Sequence, residues 1–133
     1  MTPEQSKQFI KDVFKHVFEA EGFSEELCAK YFSKDYIQYV DRKKVGYSGL
    51  LEHVRALKSA LHSMSFEFKH MLSEGNKIST IHIARGTKRD TGKKIEVQVN
   101  AMFEIQDGQL ISCNELTHLI NGEESDQDLG SRV

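Results

Sequence analysis

The chain has 133 residues, 38% of them hydrophobic and 29% charged, with a formal net charge of −2. That length predicts one domain with a core of its own, and the mild acidity argues against a nucleic-acid partner. No apolar run reaches membrane-spanning length, and the opening MTPEQSKQ lacks the basic start and apolar stretch of a secretion signal. Cys28 and Cys113 lie far apart and form no CxxC pair, so free thiols in the reducing cytoplasm are expected.

Thr2-Pro3-Glu4-Gln5 reads as a helix start, with Thr2 as cap, Pro3 at the first helical position and Gln5 closing a capping box. Phe9, Ile10, Val13, Phe14, Val17 and Phe18 then fall on one stripe, which predicts an amphipathic helix over 3–20. Ser24 opens a second helix, with Glu25 and Glu26 in its first turn. The segment 35–41, DYIQYVD, reads as a short strand, 42–46 as a loop, and Ser48 as the cap of a third helix whose apolar face is Leu50, Leu51, Val54, Leu57 and Leu61.

A β meander follows. Strand 64–74 turns at Gly75-Asn76 into strand 77–88, which turns around Asp90-Thr91-Gly92 into strand 94–105. There Ile95, Val97, Val99, Ala101, Phe103 and Ile105 alternate with Glu96, Gln98, Asn100, Met102 and Glu104, the period of a strand with one buried face. The last strand, 109–120, interrupts its apolar run with Cys113, Asn114, Glu115, Thr117 and His118, which marks a candidate pocket wall. A single domain is expected over 1–121, with 122–133, GEESDQDLGSRV, as a polar mobile tail whose Leu129 could dock on a neighbour.

Hairpin arithmetic assigns faces, because cross-strand partners share one. With a two-residue loop at Gly75-Asn76 and a three-residue loop at Asp90-Thr91-Gly92, one inner face collects Phe66, Phe68, Leu72, Ile81, Ile83, Val97, Val99 and Ala101, together with His70 and Arg85. The last hairpin leaves two registers. A three-residue loop Gln106-Asp107-Gly108 turns Ile111, Cys113, Glu115 and Thr117 inward. A two-residue loop Asp107-Gly108 turns Ser112, Asn114, Leu116 and His118 inward instead.

The helix order, the YIQY segment at 36–39 and the ending FEIQDGQLISCNELTH at 103–118 resemble the NTF2-like superfamily, and within it the SnoaL-like group of polyketide cyclases. The resemblance covers most of residues 3–120. It implies an α+β cone in which a curved antiparallel sheet wraps around N-terminal helices and encloses a pocket. It also favours the register with Glu115 inside, since Glu115 matches the last-strand aspartate that acts as acid or base in the cyclases. Two positions depart from the pattern. Ala101 stands where the cyclases carry a second ionisable group, and Tyr39 follows Gln38 and Ile37 where many relatives have histidine. Members include isomerases, cyclases, dehydratases, epoxide hydrolases and binding proteins.

Within that frame Glu115 is the expected acid or base, because a carboxylate among Phe66, Phe68, Val99 and Cys113 is pushed toward neutrality by desolvation. His70 is a candidate assistant. Arg85 on an apolar face needs an anion, either Glu115 or a ligand carboxylate. Gln38, Tyr36 and Tyr39 are expected near the cavity mouth, where a tyrosine hydroxyl can polarise a carbonyl. The six histidines show no metal-binding spacing, so neither metal nor cofactor is expected. Three readings follow: an acid–base enzyme on an apolar carbonyl compound, a binder of small apolar acids anchored by Arg85, or a scaffold. A homodimer through the polar outer sheet face (Glu96, Gln98, Asn100, Met102, Glu104) is expected, and in the scaffold reading that face makes the dimer or holds a protein partner.

Overall fold

The computed structural model describes residues 1–126. Leu129 and the rest of the expected tail end lie outside the described residues. Helix α1 (Pro3–Val13) starts with the capping box: Gln5 N–H donates to Thr2 Oγ1 at 3.1 Å, and Thr2 N–H donates to Gln5 Oε1 at 2.9 Å. The helix does not run unbroken to residue 20. Phe14–Glu19 widens into a π-helical turn, and π turns recur at functional sites. Ser24 caps α2 (Glu25–Tyr31), accepting from Leu27 N–H at 3.1 Å.

Strand β1 (Phe32–Val40) and β2 (Lys43–Gly46) form a hairpin, so the loop expected at 42–46 is mostly strand. Its two-residue turn, Asp41-Arg42, has φ of 48° and 75°. Helix α3 (Tyr47–Ala60) is capped by Gly46 without a side-chain bond, and Ser48 lies inside it. Strands β3 (Leu61–Glu74), β4 (Lys77–Lys88), β5 (Lys94–Gln106) and β6 (Gln109–Asn121) form the meander. The sheet order is β2-β1-β6-β5-β4-β3, with β1 parallel to β6 and every other pair antiparallel. The result is the expected α+β architecture with a mixed sheet.

Three departures from ideal hairpins decide which side chains point inward. The β4–β5 loop holds four residues, not three: Lys88 N–H donates to Lys93 O, and Ala84 pairs with Val97, His82 with Val99 and Thr80 with Ala101. The inner residues of β4 are therefore Ile78, Thr80, His82, Ala84 and Gly86. Ile81, Ile83 and Arg85, expected inside, face out. In β3–β4 the two-residue turn holds as far as His70↔Ile81. A bulge at Lys69 then lets Phe66 and Phe68 share the inner face with Ala84 and His82, while His70 and Leu72 lie outside. Finally, the β5–β6 turn is the two-residue Asp107-Gly108, with φ of 52° and 74°. A bulge at Ile111 shifts the register by one, so Phe103 faces Cys113, Ala101 faces Glu115 and Val99 faces Thr117. Ile111 itself is displaced from the inner row, and Leu110 is buried in its place.

The core lies between this inner face and the helices, around Ile10, Val13, Leu50, Val54, Ile78, Phe103 and Leu110. Phe14 sits at its centre, 4.8 Å from Phe66, 5.4 Å from Phe68 and 5.1 Å from His82 between ring centres. Beyond β6 the chain is tied down as far as it is described. Asp126 accepts from Glu123 N–H at 2.9 Å and pairs with Lys88 at 3.2 Å.

Candidate active site

An apolar cavity of about 110 Å³ lies between the π turn, α3 and the inner sheet face. Phe14, Phe18, Leu57, Leu61, Met64, Phe66, Val97, Val99 and Phe103 make its greasy walls. Gly86 belongs to that wall. A side chain there would meet Leu61 Cδ1 at 3.2 Å, so glycine lets β3 close over the hollow.

The polar wall is the parallel β1–β6 seam. Gln38 pairs with Cys113 and Val40 with Glu115, which places Tyr36, Gln38, Cys113, Glu115 and Thr117 on one side of the cavity. Glu115 is half-buried in the chain as a whole, and its carboxyl is held up to a pKa of about 8. Desolvation is the main cause, and the nearby Asp41 carboxylate adds to it. Asp41 is fixed by Thr117, whose N–H donates to Oδ1 at 2.8 Å and whose hydroxyl donates to Oδ2, while Asp41 N–H donates to the Glu115 carbonyl at 3.0 Å. Among the described residues Glu115 has no cationic partner.

Tyr36 is buried and donates its hydroxyl hydrogen to Gln38 Oε1 at 2.6 Å. Burial, then Cys113 and Glu115, hold the phenol well above its ordinary value, so it stays neutral. Burial also pushes the Cys113 thiol up, leaving it a poor nucleophile. His82 shares a 2.9 Å hydrogen bond with Thr80 Oγ1, and burial lowers its pKa to about 4, so the ring is neutral at physiological pH.

Of the residues singled out from the sequence, Glu115, Tyr36, Gln38, Phe66, Val99 and Cys113 line this cavity. Phe68 packs behind it on Phe14 and His82. His70 and Tyr39 are exposed on the other side of the sheet and reach nothing inside. Arg85 borders the cavity, but its guanidinium is engaged on the outer face by Glu96 at 2.8 Å and Glu67 at 2.9 Å, away from Glu115. Sequence reasoning missed His53, His82 and Asp41. His53 completes the helical stripe of Leu50, Val54 and Leu57 and lines the cavity, so its spacing carried the signal. His82 was hidden by the loop length, and Asp41 by lying in a turn. Among the described residues no cluster of histidine, cysteine and acids is arranged to hold a metal ion.

A sheet wrapped over helices, with a carboxyl-bearing cavity at its last strand, defines the class as an NTF2-like α+β cone. The model for the SnoaL-like domain matches residues 7–113, and the chain belongs to that family. An uncharacterised protein of Schizosaccharomyces pombe, C11D3.04c, is 30% identical over 128 residues, 96% of this chain and 97% of its own. AclR from Streptomyces galilaeus, described as a putative hydroxylase, superposes with a TM-score of 0.78 at 12% identity, over 99% of this chain and 89% of that one. A putative SnoaL-like polyketide cyclase from Jannaschia sp. CCS1 gives 0.73 at 14% identity, over 86% of each chain. At these identities the two structures speak for the fold.

Proposed function

We propose that the cavity is the active site of a small-molecule enzyme performing acid–base chemistry on an apolar carbonyl compound, with Glu115 as the proton carrier. One observation supports this above all: a carboxyl group without a cationic partner sits in an apolar hollow, where it exchanges its proton near neutral pH. As a carboxylate it takes a hydrogen from the carbon beside a carbonyl, leaving an enolate. As a carboxylic acid it returns that proton to the same or a conjugated carbon. No other reactant is consumed. His70 and Tyr39 have no part in this step, and Tyr36 is the tyrosine on the cavity side. Binding of an apolar acid through Arg85 loses support, because that guanidinium is committed to Glu67 and Glu96.

The test is deuterium exchange at the carbon beside the carbonyl of small cyclic ketones in heavy water. Glu115→Gln is expected to keep ligand-induced thermal stabilisation and to lose roughly 100-fold or more of the exchange rate. Equal exchange in wild type and variant would remove Glu115 from the chemistry. We also infer a homodimer through the outer sheet face, where Leu72, Met102 and Leu116 stand exposed. No helix among the described residues is long and apolar enough to cross a membrane.

A further inference from the structure

We propose that Gln38 is the residue that receives the ligand's carbonyl oxygen, and that the cavity admits a neutral ketone or ester no larger than a single ring. This rests on the carbonyl reading above and names its substrate class.

The argument for Gln38 is one of donor placement. The residue is 6% exposed and lies on the cavity wall. Tyr36 donates to Oε1 at 2.6 Å. The amide carbonyl is thereby occupied, which fixes the flip of the group and leaves its NH2 to face the hollow. Among the described residues that NH2 donates to nothing. An amide donor on the cavity wall is available to bond a ligand oxygen.

The neighbouring strand supplies the complement. Gln38 pairs with Cys113, and Glu115 is the next inward residue along β6. Their backbones therefore stand roughly 8 Å apart along the diagonal of the parallel pair. Two side chains reaching inward from that separation span a C–C=O unit, oxygen on Gln38 and the adjoining carbon toward Glu115. Glu115 disfavours an anionic ligand above its own titration. Glu115 repels it when ionised, His82 is neutral, and Arg85 is engaged outside.

Size follows from the volume. An apolar cavity of about 150 Å³ takes one benzene; this one measures about 110 Å³, so a single ring is its upper limit and enters only as the aromatic walls give way. Phe14, Phe18 and Phe66 close it, with Phe18 stacked on Phe14 at 5.3 Å. A fused-ring compound has no room.

The test compares ligands of matched shape by ligand-observed NMR: cyclohexanone, methylenecyclohexane, cyclohexanecarboxylate and the two-ring 2-tetralone. Wild type is expected to prefer cyclohexanone over methylenecyclohexane by about tenfold and to bind neither the carboxylate nor 2-tetralone. Gln38→Leu should erase that preference while still binding methylenecyclohexane, which shows the cavity intact. Tyr36→Phe, which frees the amide to flip, should reduce it. Phe18→Ala should admit 2-tetralone. Equal binding of ketone and alkene by wild type, or a preference that survives both Gln38→Leu and Tyr36→Phe, overturns the role of Gln38. Tight binding of 2-tetralone or the carboxylate by wild type overturns the substrate class. Glu115→Gln should leave the ketone preference in place, so the loss of catalysis and the loss of recognition are read separately.

Discussion

Glu115 and His82 pull the stability of the molecule in opposite directions with pH. Glu115 ionises near 4.5 in the unfolded chain but near 8 in the folded one. Its contribution is therefore complete below 4.5 and is lost as pH rises to 8, by as much as roughly 5 kcal/mol. His82 protonates near 6.5 when unfolded and near 4 when folded, so its contribution is lost as pH falls from 6.5 to 4. Between about 4.5 and 6.5 the two slopes cancel. Above 6.5 only the Glu115 loss remains. Urea titrations from pH 5 to 9 should show wild type weakening above 6.5, and Glu115→Gln should show no such fall. Asp41 tunes the same carboxyl through its charge. Asp41→Asn tolerates the positive φ of the turn and should lower the Glu115 titration midpoint from about 8, followed by carboxyl carbon NMR. An unmoved midpoint would leave desolvation as the whole cause.

At the scale of the elements, bulges set the chemistry. Residue alternation along β5 and the capping signals of α1 and α2 were legible, because a one-sided strand and a capped helix leave local marks. The inward turn of Cys113, Glu115 and Thr117 was also expected, but through a three-residue loop. The chain instead uses the tight Asp107-Gly108 turn and spends its extra residue at Ile111, four residues before the carboxyl it re-aims. A bulge has no sequence signature as plain as a turn glycine, and neither the one at Ile111 nor the one at Lys69 could be read. The four-residue loop before β5 had the larger effect: one miscounted residue exchanged Ile81, Ile83 and Arg85 for Thr80, His82 and Ala84. Deleting Ile111 should restore regular pairing and leave Ala101 opposite Glu115, because the register beyond the bulge already matches that of a chain one residue shorter. The expected outcome is a Glu115 carboxyl that still titrates near 8 in carboxyl carbon NMR; a return to the ordinary carboxylate value would show that the bulge does more than set the register.

For the whole molecule, the order of elements and the α+β class were readable in outline, while β2 and the parallel β1–β6 pair were not, since parallel pairing joins segments distant in sequence. The outer face offers the test of assembly. Leu72 and Met102 lie in one cross-strand row with Ser79 between them, and Leu116 lies in the next. Native mass measurements should give a dimer for wild type and a monomer for Leu116→Lys, with the melting temperature at high dilution little changed. A monomeric wild type would remove the assembly proposal.

The polar wall is assembled from the two ends of the meander's reach. Asp41 and Thr117, which latch the seam, are 76 residues apart in the chain. Closing so long a span carries a large entropic cost, so such a contact forms late in folding. A nascent chain released only through β5 has most of the greasy panels of the hollow but neither Leu110 nor Glu115, and its unpaired β5 edge stays open to other strands. The polar wall thus becomes complete only when synthesis has delivered the final strand.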